Sequence, residues 1–208
     1  TILCDRHQIR ILKVNDQPKV GIINGMWANS YGNGGILHIE AKYFYTNTFM
    51  DLKLTGMQGD VMKESMAVSK TLALSLIDKK TLTSITKKFE ETKMQGFHLH
   101  VPEGSTPKDG PSAGAAITLV LYSLLTNKKI KNTFAITGEI NLQGNITAIG
   151  GLDLKFLGGI KAGVKTFLYP KDNDKDFLLF CKKHEYLLDN YKYIPVSNIN
   201  EVILLMLE

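Results

Sequence analysis

"FHLHVPEGSTPKDGPSAGAAITLVLYSLLTN", residues 97–127, joins a short strand to a strongly apolar run through a loop that neither helix nor strand can cross. Residues 102–114 hold three Gly and three Pro, which break both helical and ladder hydrogen bonding. The run that follows, "AGAAITLVLYSLLTN", is apolar on nearly all sides. It predicts a helix buried in the middle of a domain and ended by Asn127. The loop between them is built to hold something still, and the hydroxyl of Ser112 is the group it offers.

Upstream, "GILHIEAKYF" alternates as a strand, "NSYGNGG" supplies turn residues, and "LKLTG" reads as another strand. From Asp60, "DVMKESMAVSKTLALSLI" changes to helical spacing, with Val61, Met62, Met66, Leu72, Leu76 and Ile77 on its apolar positions. The Lys-rich "DKKTLTSITKKFEETKMQG" is expected to be helical in part and exposed. Downstream, "TFAITG", "TAIGG", "KTFLYP" and "YKYIPV" read as strands alternating with helices at "LDLKFLGGIKAG" and "DKDFLLFCKKHEYLL". A last helix begins near Asn198, three residues before Glu201 as in a capping box. Strands and helices mix throughout, with neither linker nor repeat. A single α+β domain of mixed sheets with packed helices, covering residues 1–208, is the expected architecture.

Composition narrows the class. A chain of 208 residues that is 44% hydrophobic and 22% charged is that of an ordinary globular protein, which excludes disorder and fibrous scaffolds. Cys4 and Cys181 are distant and in no metal-like spacing, so a reducing compartment or indifference to redox is expected. The net charge of +5 raises nucleic acid as a partner, but Lys is dispersed and no dense basic stretch occurs, so nucleic-acid binding is not expected. The longest apolar stretch is short of the ~20 residues that span a bilayer, and no membrane role is expected. The opening "TILCDRHQIRILKV" has no secretory pattern and reads as a fragment beginning in mid-protein.

Four constellations compete for the chemistry. "GPSAG" fits the G-x-S-x-G pattern of an esterase elbow, which needs a strand running into the Ser, and a later His that here could only be His184. "HLH" puts His98 and His100 on one strand face, a spacing that serves either a metal or plain hydrogen bonding. "GGIKAGVKT" misses the phosphate-loop pattern by one position. The fourth pairs Ser112 with Lys155. A serine becomes nucleophilic when a base takes its proton, and a lysine serves once burial has neutralised it. Lys155 sits near the start of a helix after Gly150 and Gly151, among Leu152, Leu154, Phe156 and Leu157, where helix dipole and apolar neighbours both disfavour ammonium. Ser112 opens another helix, beside unpaired backbone N–H groups that suit an oxyanion. The plainer alternatives are that Ser112 only caps that helix and that Lys155 lies on a surface.

"HLHVPEGSTPKDGPSAG" followed by "TGEINLQGNITAIGGLDLKFLGGIKAGVKTFLYP", with a looser match at "GDVMKES", closely resembles the proteolytic domain of Lon, the ATP-dependent protease. The resemblance implies the Lon proteolytic fold and a serine endopeptidase that cleaves unfolded proteins, with Ser112 as nucleophile and Lys155 as its base. It gives Thr137 as a hydrogen-bond partner of the lysine and His100 a supporting part. It implies no cofactor and no metal in this domain. ATP and magnesium would belong to an ATPase module of the same chain that feeds polypeptide substrates, in a homo-hexamer within the cytoplasm or mitochondrial matrix. Two departures touch the groove and the lysine: "GMWANSYGNGG" has a longer turn and a shifted Trp27, and "GGLDLK" carries Asp153 and Leu154.

Overall fold

A computed structural model describes residues 11–56, 59–102 and 110–208. Cys4, most of the opening segment and most of the Pro/Gly loop lie outside the described residues.

Chain order runs β1 (Ile22–Ala28), β2 (Gly34–Phe44), β3 (Leu52–Thr55), α1 (Asp60–Ser75), α2 (Lys79–Thr92), β4 (Gly96–His100), α3 (Gly114–Thr126), β5 (Phe134–Ile136), β6 (Glu139–Ile140) and β7 (Ile146–Thr147). It continues through α4 (Leu152–Ala162), β8 (Thr166–Pro170), α5 (Asp174–Lys183), β9 (Lys192–Val196) and α6 (Ile199–Met206). Seven strands form one mixed sheet in the order β3-β4-β2-β1-β5-β8-β9, and β6 pairs with β7 apart from it. The mixture is the one the interleaved strand and helix signals predict. The β1–β2–β4 region is antiparallel, while β5, β8 and β9 are parallel, as crossovers through α4 and α5 require.

Alternation along the strands feeds two cores. Ile23, Leu37, Ile39, Ile136 and Leu168 face one core, shared with α1 and α3. Met26, Ile36, Ala135, Phe167 and Tyr169 face the other, against α4 and α5. Helix α3 has ten of its thirteen residues buried, as its all-round apolar sequence demands, and Asn127 ends it at φ 55°.

Three expectations need adjustment. Residues 79–92 form a complete helix, capped by Asp78 at Thr81 N, because Phe89 buries and Leu82 and Ile85 pack against the core. The run "TAIGG" contributes only Thr147 to a strand. Gly151 sits at φ 68°, a left-handed turn that redirects the chain into α4. At α6, Asn198 caps Asn200 N while Glu201 accepts from Ser197 N, a capping box displaced by one residue at each bond.

Candidate active site

Ser112 sits in a single 3-10 turn, Pro111–Ala113, that runs into α3. Pro111 fixes the entry and has no N–H to waste there. No side chain caps either this turn or α3, so the hydroxyl is not spent as a helix cap. The turn is tied to the residues after β5: Gly138 N donates to Ser112 O at 2.8 Å and Ala115 N to Gly138 O at 3.1 Å. That pairing places Thr137 beside the turn, with its own N–H held by Leu168 O at 3.2 Å.

Lys155 is the fourth residue of α4, and its N–H donates to Gly151 O at 3.0 Å, closing the first full turn. It is not a surface residue, being only 4% exposed. Its Nζ donates to Thr137 Oγ1 at 3.1 Å. Burial pushes the amine down to about 8, so roughly a fifth of it is neutral near physiological pH, against about a thousandth for an ordinary lysine.

Ser112 and Lys155 line one cleft of about 660 Å³. Met26, Trp27, Leu37, Met62 and Leu154 make apolar walls, and Glu139 adds a carboxylate. Residues Ala148, Ile149, Gly150 and Gly151 form a further wall where strand had been expected. The shifted Trp27 thus belongs to the cleft; its Nε1 donates to Ile36 O at 3.2 Å. The cavity is ligand-sized, mostly apolar and furnished with a few polar groups, as binding sites are.

The other candidates fall elsewhere. His100 Nδ1 and His98 Nε2 both hydrogen-bond Thr55 Oγ1, at 2.7 and 2.8 Å, and line a second hollow with His38, Glu40 and Lys42. His100 is therefore not among the cleft residues. Among the described residues no group of three or more His, Cys, Asp or Glu could hold a metal. His184 packs on Phe180 with ring centroids 4.9 Å apart, beside the second core and not among the residues that line the cleft with Ser112. The esterase arrangement is thus unmet. "GGIKAGVKT" is the end of α4, its turn at Gly163 and the start of β8.

Met26, Leu37 and Glu139 were not singled out by the sequence, and Met62 only as an apolar position of α1. Strand alternation gives Met26 and Leu37 as inward residues, but only the folded sheet shows which of them border the cleft.

A hydroxyl at the mouth of a buried helix and an amine that gives up its proton readily, in one apolar cleft, are the groups that acyl transfer requires. The chain belongs to the family of the Lon protease (S16) C-terminal proteolytic domain, whose model matches residues 3–208. It is 42% identical over 191 residues to a Lon protease of Clostridium acetobutylicum, covering 92% of this chain and 23% of that protein. It is 38% identical over 205 residues to a Lon protease homolog of Acanthamoeba polyphaga mimivirus, covering 96% of this chain and 20% of that protein. A Lon protease of Helicobacter pylori is 37% identical over 214 residues, covering 96% of this chain and 25% of that protein. The chain thus spans a fifth to a quarter of the length of these relatives. Family membership makes it a protease domain, and no helix among the described residues is long and apolar enough to cross a membrane.

Proposed function

We propose that this chain hydrolyses peptide bonds with Ser112 and Lys155 as a catalytic dyad. The observation that carries the reading is a buried amine, held by Thr137, in the same apolar cleft as a serine at a helix start. Ser112 Oγ attacks the scissile carbonyl carbon while neutral Lys155 Nζ takes the hydroxyl proton. The backbone N–H groups of Ser112 and Ala113 hold the oxyanion, since Pro111 has none and the later donors, Gly114 N and Ala115 N, already bond Pro111 O and Gly138 O. Collapse breaks the C–N bond, and the departing amine takes the proton from the Lys155 ammonium. Water then attacks the acyl ester with Lys155 again accepting a proton, which releases the second product and restores Ser112.

This cycle needs no cofactor and no metal. The open cleft suits an extended segment of unfolded polypeptide. Supply of such segments is assigned to an ATPase module of the same protein, using ATP and magnesium, within a homo-hexamer inside the cell. The test uses the full-length protein with Ser112→Ala and Lys155→Ala. Casein or peptide cleavage should fall by roughly 10³-fold or more in each. Cleavage at the wild-type rate in either would sink the dyad.

A further inference from the structure

Helix α4 carries the lysine, and beside the side-chain core of Leu152 and Phe156 it meets the β1–β2 hairpin at a close approach that glycines allow. At Gly34, the first residue of β2, an added Cβ would be driven into the Leu154 carbonyl, with Lys155 N 3.2 Å away. At Gly158 an added Cβ would collide with the backbone of Gly34 and Gly35. At Gly151 it would come 2.8 Å from the Ala28 Cβ. Positions 151, 154 to 155, and 158 recur at helical spacing, so one face of α4 lies backbone to backbone on the β1–β2 hairpin. Cross-strand pairing aligns the same hairpin: Ala28 is opposite Gly34 and Trp27 opposite Gly35. The indole of Trp27 lies over Gly35, where an added Cβ would be 2.8 Å from Nε1.

We propose that the Gly34–Gly35 pair is a positioning device with two separable outputs, Gly34 setting how deeply Lys155 sits and Gly35 setting where Trp27 walls the cleft. This rests on Lys155 acting as the base. A methyl on Gly34 must displace the Leu154–Lys155 peptide, because the opposing atoms are backbone and cannot rotate away. The amine then moves toward water and its proton affinity returns toward that of an ordinary lysine. The cause of its lowered proton affinity is burial, and Glu139 is the ionisable group that shares the cleft with it among the described residues. A methyl on Gly35 instead tilts the indole, changing the wall against which substrate lies while leaving the lysine's seat.

The test measures peptide hydrolysis against pH in full-length Gly34→Ala and Gly35→Ala, with circular dichroism confirming that each is folded. Gly34→Ala should lower kcat roughly tenfold or more and move the acid limb to higher pH, with KM changed by less than about threefold. Gly35→Ala should raise KM for peptides with apolar side chains by about threefold or more and keep the wild-type acid limb. A loss that is merely structural would lower activity without moving the limb. Should Gly34→Ala not fold, Gly158→Ser approaches the same seat from the helix side and must show the same limb shift. A folded Gly34→Ala or Gly158→Ser with wild-type kcat and limb overturns the lysine half, and a Gly35→Ala with wild-type KM overturns the other. Lys155→Ala, run in parallel, separates these outcomes from failure of the dyad, since only the dyad's failure leaves that variant active.

Discussion

Lys155 Nζ and Thr137 Oγ1 lie 3.1 Å apart, and both residues are buried, Thr137 completely. The amine is thereby held by a neutral partner, and among the described residues no carboxylate faces it at hydrogen-bond distance to oppose the burial that disfavours its charge. With the lysine at about 8, the reactive neutral form is lost as pH falls. The rate of peptide hydrolysis should therefore rise about tenfold per unit below pH 8 and level off above it. A profile flat from pH 6 to 9 would mean that this amine is not the base.

Thr137 contributes orientation as well as company. Its hydroxyl accepts from Nζ and so fixes which hydrogens point away from substrate. Thr137→Val keeps the shape and removes the acceptor. Because an acceptor favours ammonium more than amine, its loss should move the acid limb to lower pH while the plateau drops about tenfold. Thr137→Ser, which restores the hydroxyl, should recover most of both. Equal losses in Val and Ser variants would point to packing instead.

The reach of sequence reasoning tracks how local each constraint is. Helix α3 and strand β8 are legible because burial on all sides writes itself into a continuous apolar run, and the 3-10 turn at Ser112 follows from Pro111 and the glycines around it. Helix α2 is under-read because its core contact is a stripe of three residues, Leu82, Ile85 and Phe89, of which only Phe89 is fully buried, set among many lysines and threonines. Ser112 and Lys155 are nameable from chemistry alone, whereas Thr137, and a part for His100 beside the dyad, come only from family resemblance. The seat of α4 is invisible in sequence. It depends on what is missing at Gly34 and Gly158, residues far apart in the chain, and a glycine pair after a turn reads first as part of the turn.

His100 bears on a different part of the molecule from the dyad. Its Nδ1 and the Nε2 of His98 share Thr55 Oγ1, bracing β3 against β4, while neither ring lines the cleft with Ser112. His100→Asn should therefore leave the acid limb where it is and change kcat by less than about tenfold, with any loss accompanied by a lower melting temperature. A displaced limb at unchanged stability would give His100 a part in the proton transfer itself.

A lysine whose proton is loosened by burial should cost the fold stability, and the cost has a definite pH window. The lysine amine has an ordinary value of 10.5 and sits at about 8 in the folded protein. Between those values the unfolded chain binds a proton that the folded chain does not, so this group makes stability rise with pH across the window. Below pH 8 both states are protonated and the whole penalty, about 3 kcal/mol, is present. Lys155→Met removes the charge and nearly keeps the length, but forfeits the bond to Thr137, worth about 1 kcal/mol. The inactive variant should therefore be more stable than wild type by about 1–2 kcal/mol at pH 7, which is several degrees in Tm for a domain of this size. The advantage should shrink as pH rises toward 10.5. Urea titrations at pH 7 and pH 9.5 measure both values. A Lys155→Met protein less stable than wild type at pH 7 would show that the amine sits in its site without penalty, and the case for its neutrality would fail with it.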